Sequence, residues 1–596
     1  MIQTETNPVL SSNRYIIQGL DSLLGDILQS KDDFVAVDTE TTGLRWTKDR
    51  AFGVAIAWDD YSVFIRNEIW GVENLSRFMQ DLFSNTSKQF VFHNAEFDLH
   101  MIRETYGAEA PEKIIDTLRV AHLYDASAKH SLKEWGSEEY GDSASFYEDR
   151  IHNYMKAYKI KDYSLVPADI MDEYAANDTV LTKGLAYKYV PLVKKEFGGL
   201  FTLEHALIPV ILDMERQGIA INLNYIDQLH SRIVKQKQKL VDSVQSLVGK
   251  PIQIGSSKQV GDYLWDRLQI KPPLTNMEFV DGRPVYKTSR STNEKALKSI
   301  SHPIGSKFAK LVLRWRELEK IDNTYLNSYT KIHKNGRIHP RFNACGTLTG
   351  RFSGSDPNMQ NIPKDDSIRR IFTPDTEFID MDYSQLELKL MAHASGQDNM
   401  IEAFNDGADL HSYTAALLMN KTIDQIDPKG RERKMAKSLN FGVIYGIGTK
   451  GLADYAGIPE RDAQRYLRDY WKRYPKIRTY FRKQKRFAEE NEYIRTMFNR
   501  KVPLRDRFYA SPNYAIQGTG GDMMKISMLK TWRFVKSIGG SLRNTVHDQI
   551  LFDNVDKKYI PEIKELMEDF SFKMPITVDV QTSDKSWGDL HESDER

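Results

Sequence analysis

The sequence predicts an α/β protein of several domains, and three observations lead there. At 596 residues the chain is too long for one hydrophobic core and divides into two to four domains. Short β-rich runs near both ends are separated by long stretches with helical spacing of apolar residues. Charge divides the chain as well: residues 1–196 carry 21 Lys and Arg against 32 Asp and Glu, and the remaining 400 carry 62 against 50. An acidic first part joined to a basic remainder suits a protein whose larger part holds a polyanion, although solvated surface charge gives the same numbers.

Residues 34–37 (FVAV), 52–57 (FGVAIA) and 61–65 (YSVFI) read as short strands, and helical patterns follow from about Asn74. From residue 197 the stretch GGLFTLEHALIPVILDMERQGIAIN begins a long helical region that Gly218 ends, which puts the first domain boundary near 196. Residues 225–334 are mostly helical and rich in Lys and Arg, with a loop at about 271–292 marked by Pro and Gly. Strand patterns return at 377–383 (EFIDMDY) and 544–552 (NTVHDQILF), with helices from about 385 to 495 between them. With 40% hydrophobic and 28% charged residues the composition is that of an ordinary folded protein. A single cysteine, Cys345, excludes an intramolecular disulfide and a thiolate cluster and fits a reducing compartment. The start, MIQTETNPVL, has no signal-peptide pattern, and no apolar run approaches membrane-spanning length. The expectation is a cytoplasmic protein without a membrane partner.

Val37-Asp38-Thr39-Glu40 ends the first strand, and residues two apart on a strand share a face, so Asp38 and Glu40 point the same way. Adjacent carboxylates repel unless a divalent cation lies between them, and oxygen ligands select Mg²⁺ or Mn²⁺. HNAEFD adds Asp98, and YAANDT adds Tyr174 and Asp178, spaced i, i+4 on one helix face. Four carboxylates and a phenol can hold two metals and orient water for phosphodiester hydrolysis. Singly, each is an ordinary surface acid. In this order, DTETTGL, HNAEFD and YAAND resemble the three motifs of the proofreading 3′–5′ exonucleases. The resemblance covers about residues 30–190 and implies an RNase H-like domain over 1–196. It assigns Asp38, Glu40, Asp98 and Asp178 to the metals and Tyr174 to the attacking water.

In NTVHDQILF a carboxylate, Asp548, stands in an apolar strand, which is unfavourable by several kcal/mol unless it lies at an exposed edge or holds a cation. EFIDMDYSQLELKL carries a second such aspartate, Asp382, with Asp380 on the same strand face as its rival. Two strand-borne aspartates side by side in one sheet could share two Mg²⁺ ions about 3.5–4 Å apart. Between them Arg433, Lys437, Phe441 and Tyr445 recur every four residues, one stripe of a helix. The cations suit a triphosphate and the rings suit a base, although a plain amphipathic face has this spacing too. GIGTKG (446–451) matches the dinucleotide-binding pattern but follows a helix rather than a strand, so it reads as a loop.

DYSQLE, RKMAKSLNFGVIYG and VHDQ match, in order, motifs A, B and C of the family A DNA polymerases. Further matches are TLTGRFSGSDPNMQNIP (347–363), DLHSYTA (409–415), NYAIQGT (513–519) and IGSSKQVGDYL (254–264). The chain is identified as a member of that family. Membership implies a right-hand polymerase domain over 197–596, with a thumb at about 205–340, a palm at about 341–395 and 500–596, and fingers at about 396–499. It implies that Asp382, directly before Tyr-Ser-Gln and therefore preferred to Asp380, shares two Mg²⁺ ions with Asp548. Arg433, Lys437 and His411 are expected on the triphosphate, with Lys437 placed to give a proton to pyrophosphate. Phe441 and Tyr445 are expected to support the incoming nucleotide and template base, and Glu387 to act as a steric gate against a 2′-hydroxyl. Lys364 stands near the triphosphate in place of an arginine. Arg351, Asn513, Gln517 and His547 are expected on the primer–template. The implied partners are primer–template DNA, dNTPs and a single-stranded 3′ end, bound by a monomer.

Two further departures from the family are Gln549, where motif C has a glutamate, and Tyr509, where bacterial relatives have an arginine. The exonuclease strand begins by residue 34, leaving no room for a 5′ nuclease domain, and the thumb loop is too short for a thioredoxin-recruiting insertion. These point to a phage replicative polymerase in a bacterial cytoplasm. Two other readings are an exonuclease whose polymerase half only holds DNA, and a single-subunit RNA polymerase, against which Glu387 and the exonuclease motifs count.

Overall fold

The three expected N-terminal strands form as Phe34–Thr41, Ala51–Trp58 and Tyr61–Arg66, an antiparallel meander rich in buried β-branched and aromatic residues. The computed structural model describes residues 13–592 except 86, 142–143, 273, 281–282 and 289, with only the backbone over 274–280, 283–288 and at 592. The meander belongs to a six-stranded sheet ordered Asn13–Arg14, Tyr61–Arg66, Ala51–Trp58, Phe34–Thr41, Gln89–Phe92, Ile114–Asp116. Gln89–Phe92 lies parallel to Phe34–Thr41, and a parallel neighbour needs a crossover. The helix Val72–Phe83 supplies it and buries Leu75, Phe78, Met79 and Leu82.

The helix Ala168–Ala206 packs on this sheet and continues past the expected boundary. Its only break is at Phe197 (φ −128°, ψ 30°), so residue 196 adjoins a kink rather than a linker. Contrary to the sequence expectation, Ala168–Gln217 is long and apolar enough to cross a membrane, but 61% of its most apolar window is buried in the fold. It is a core helix. Gly218 ends that run as expected: its φ is +57°, and a Cβ there would lie 2.4 Å from the Ile338 carbonyl oxygen, so no other residue fits.

Beyond it, Leu223–Val248 and Pro303–Ile321 pack together. The expected loop at 271–292 is largely a hairpin, with Leu274–Val280 antiparallel to Arg283–Thr288 and Val280 paired with Arg283; its residues 273, 281–282 and 289 lie outside the described residues. LTNMEFV and RPVYKT carry enough β-formers to pair, and Pro284 sits within the second strand opposite Phe279.

The C-terminal sheet is antiparallel and ordered Ser541–Val546, Gln549–Asp553, Phe378–Tyr383, Val578–Ser583, His591–Glu592. The helix Ser511–Ser537 packs against it. At Gly518 a Cβ would come 2.6 Å from Thr496 Cγ2 and 3.1 Å from the Thr349 carbonyl oxygen, so glycine lets this helix lie against the segment that carries Arg351. A run of helices from Leu386–Ser395 to Pro475–Asn491 occupies the expected helical stretch.

The two halves share one core, in which Val180 and Leu185 of the long helix cluster with Met381, Leu390 and Tyr470. A buried charge network crosses the same junction. Glu204 accepts from Lys525 Nζ at 2.7 Å and pairs with Arg500 and with Arg119 Nη1 (3.3 Å), while Arg500 Nε donates to Asp522 at 2.7 Å. Burial alone would raise the Glu204 carboxyl, but Lys525, Arg500 and Arg119 outweigh it and hold it far below the usual range.

Candidate functional site

Two groups of the expected residues assemble, one in each half. In the first, Asp38 and Glu40 stand on the strand Phe34–Thr41, opposite Ala55 and Gly53 of the neighbouring strand. Asp98 comes from the first turn of Ala95–Tyr106, and Tyr174 and Asp178 from Ala168–Ala206. Asp98 is 2% exposed, and its Oδ1 accepts from the Thr39 backbone N–H at 3.0 Å and hydroxyl at 2.6 Å, which locks it beside the strand.

Burial raises Asp38 to about 7, with Lys133 opposing, and raises Glu40 and Asp98 well above the carboxylate range, the Asp38 charge adding to each. Burial first, then Glu40 and Asp38, raises the Tyr174 phenol. Lys133, which sequence reasoning missed, pairs with Asp178 and lies 4.5 Å from the centre of the Tyr174 ring. In SLKEWG it reads as one more polar residue of an amphipathic helix, and no local signal distinguishes it.

The second group corrects one expectation. NTVHDQILF is not one strand: Ser541–Val546 and Gln549–Asp553 form a hairpin with His547 and Asp548 as its two-residue turn. His547 takes φ +58°, the left-handed region common in such turns. Asp548 is therefore at a hairpin tip rather than within a strand, although its carboxyl remains partly buried. It still meets Asp382: Gln549 pairs with Asp382 across the sheet, and the Tyr383 N–H donates to the Asp548 carbonyl at 3.0 Å. Both aspartates line one cavity of about 580 Å³. Burial and then the Asp548 charge raise Asp382 to about 7, with Lys364 opposing; burial also raises Asp548.

The same cavity is lined by Arg351, Glu387, His411, Arg433, Lys437, Phe441, Tyr445 and His547. Arg433, Lys437 and Phe441 lie on the helix Arg431–Ile444, and Tyr445 caps its C-terminus. Arg433 donates from Nε and Nη2 to both oxygens of Asp409 (2.8 and 3.0 Å), which itself caps Leu410–Met419. Burial would raise Asp409, but Arg433 and Ser412 outweigh it and bring it to about 2. Burial lowers His411 to about 4, so its imidazole is neutral, and Asn440 Nδ2 lies 3.2 Å from its Nδ1. Both oxygens of Glu387 are held, one by Arg351 (2.6 Å) and one by the Tyr445 hydroxyl (3.1 Å).

Lys364, Asn513 and Gln517 do not line this cavity. Asn513 and Gln517 lie one turn apart on Ser511–Ser537. Asp409 and Asp579 line it without having been expected; Asp579 pairs across the sheet with Asp382. Asp409 carried a readable signal, an aspartate two residues before His411 at a helix start. Asp380 is 2% exposed, and its Oδ2 accepts from Gln549 Nε2 and from Trp587 Nε1 (2.8 Å). It does not line the cavity, and Gln549 is occupied by Asp380.

Among the described residues no three carboxylate, imidazole or thiol groups form a ready-made metal cage. Asp382 Oδ1 is nevertheless buried with no hydrogen-bond partner among them, and such an atom beside a second carboxylate fits a divalent cation. Mg²⁺ commonly takes one or two carboxylates and completes its shell from phosphate and water. The Asp38 group offers four carboxylates with a lysine among them, a donor set of the same kind.

Residues 223–589 match the family described as DNA polymerase family A, and residues 17–193 match 3′-5′ exonuclease. The chain is 32% identical over 440 residues to a thermostable DNA polymerase I of Thermus filiformis, covering 68% of this chain and 50% of that protein. It is 31% identical over 543 residues to DNA polymerase I of Treponema pallidum, covering 86% and 52%. It thus spans about half the length of these relatives. The solved POL domain of Pol1 from M. smegmatis, in complex with DNA primer-template and dNTP, shares the fold: TM-score 0.79, 24% identity, 96% of this chain and 99% of that one.

Proposed function

Because the chain belongs to DNA polymerase family A and carries a 3′–5′ exonuclease domain, we propose that it copies a DNA template and trims the copy. Deoxynucleotides would join the primer 3′ end at the Asp382–Asp548 cavity, and a single-stranded 3′ end would be hydrolysed at the Asp38 group. One observation carries the reading. The cavity sets two adjoining carboxylates against the cations Arg433 and Lys437 of the helical layer, with the His411 imidazole beside them, an arrangement that suits a metal–triphosphate complex.

Divalent metal, two Mg²⁺ per site with Mn²⁺ as a substitute, would be held by Asp382 and Asp548 and by Asp38, Glu40, Asp98 and Asp178; bound, it neutralises phosphate charge and activates the attacking oxygen. Asp409 aims Arg433 and leaves its Nη1 for a phosphate oxygen. Lys437 neutralises the departing pyrophosphate and can give it a proton, and Lys364 adds positive charge from the Asp382 side. Phe441 and Tyr445 offer rings to the base pair. Glu387, held at both oxygens by Arg351 and Tyr445, would crowd a 2′-hydroxyl and so favour deoxyribose. Arg351, Asn513, Gln517 and His547 would face the primer–template minor groove, whose acceptors are common to all correct pairs. Tyr174 would orient the water of the hydrolytic site. The thumb, palm and fingers divisions given above belong to this reading, as does a monomer replicating phage DNA in a bacterial cytoplasm.

The test is primer extension with four dNTPs and Mg²⁺ beside degradation of single-stranded DNA. Both reactions are expected. Degradation without extension at high dNTP would favour a DNA-holding scaffold, and extension with NTPs would reverse the sugar assignment.

A further inference from the structure

Lys133 is 9% exposed and stands in the first turn of the helix Leu132–Tyr140, capped by Ser131 and anchored by buried Trp135 and Gly136. Its ammonium lies against the other helix, between Asp178 and the Tyr174 ring, 4.5 Å from the ring centre. Asp38 and Glu40 feel the same charge. Once metal draws on Asp178, its hold on the Lys133 ammonium weakens, and the cation is left free to face the substrate.

Charge suggests a use for it. The four carboxylates carry four negative charges and the scissile phosphodiester a fifth, while two divalent cations supply four positive charges. Lys133 supplies the fifth. Resting on the exonuclease reading above, we propose that Lys133 is a further catalytic residue of this site: its ammonium passes from Asp178 to a non-bridging oxygen of the scissile phosphate when metal and DNA bind.

In the step it assists, water loses a proton as its oxygen bonds to phosphorus. The P–O3′ bond breaks with its electron pair going to O3′, which takes a proton, and a nucleoside 5′-monophosphate leaves. Lys133 keeps its proton throughout and offsets the charge that builds on the phosphate oxygens. Its place beside Tyr174 puts it on the side from which the oriented water approaches.

The test compares wild type, Lys133→Met and Lys133→Arg on a labelled single-stranded oligonucleotide with Mg²⁺, with primer extension by the same preparations as the check on folding. Lys133→Met should lower kcat of degradation about 100-fold with KM within about threefold, and Lys133→Arg should recover at least a tenth of the rate. Without DNA, Lys133→Met should bind Mn²⁺ more tightly in an Asp548→Ala background, because a competitor for Asp178 is gone. Degradation by Lys133→Met within about threefold of wild type would overturn the proposal. If Lys133→Met also fails to extend primers, Lys133→Arg and Lys133→Gln decide, and equal degradation by the two overturns it. Wild type that degrades nothing would instead remove the exonuclease reading itself.

Discussion

In the N-terminal site the charged groups converge on one strand and its packed helices: Asp38 and Glu40 side by side, Asp98 locked to Thr39, and Asp178 paired with Lys133. In the C-terminal cavity of about 580 Å³ the carboxylates stand on a sheet strand and a neighbouring hairpin turn, and Arg433 and Lys437 stand opposite on one helix. The difference suits the two substrates proposed for these sites. A single phosphodiester at a frayed end needs fixed ligands and little motion. A nucleotide checked against a template would need an open cavity, and here its cationic side is already set, with Arg433 held by Asp409.

The strongest way to break this comparison is to disable each site separately. Asp548→Ala should reduce extension by about 10³-fold or more and leave single-strand degradation intact; Asp38→Ala with Glu40→Ala should do the reverse. Gel assays of both reactions on both variants check it, and loss of both reactions in either would merge the sites.

Next in size is the junction that joins them. Glu204→Gln leaves Lys525, Arg500 and Arg119 without their shared buried carboxylate and should cost about 3–5 kcal/mol of stability, read from the denaturant midpoint. Since Glu204 is held below its ordinary value, its contribution is complete above about pH 4.3 and is lost as pH falls through and below that value. The gap between wild type and variant should therefore narrow on acidification.

Lys437→Ala should lower kcat of extension about 100-fold with exonuclease rates unchanged, in steady-state assays. Gln549→Glu would set a second carboxylate against buried Asp380 and remove its amide donor. We expect a loss of about 1–3 kcal/mol in thermal unfolding, largely restored by adding Asp380→Asn. The smallest effect is that of Phe441→Tyr, which adds a hydroxyl in the cavity and should make chain termination by ddNTPs about fivefold more efficient. Equal sensitivity would remove that role from Phe441.

Where the grouping of residues follows local spacing, the sequence was enough to read it. Asp38 and Glu40 share a face because strands alternate, and Tyr174 and Asp178 share one because helices repeat at four. What escaped reading depends on tertiary contact. Lys133 is ordinary in its own helix and meaningful only against Asp178. Asp548 looked strand-bound because VHDQILF is apolar on both sides, and only the pairing of Val546 with Gln549 shows a turn there. The Asp-Gly dipeptide between β-formers at 281–282 was a readable hairpin signal that the neighbouring prolines obscured. The core shared across Phe197 has no sequence signature, since helix continuity hides it.

The most direct measurement is extension of a primed template bearing a 3′-terminal mismatch, with Mg²⁺ and four dNTPs, followed by sequencing of the product. Two separate centres in one chain predict removal of the mismatched nucleotide and then full-length correct product, with Asp38→Ala and Glu40→Ala together stalling or fixing the mismatch. Efficient correction by that double variant, or full-length synthesis by Asp548→Ala, would contradict the account.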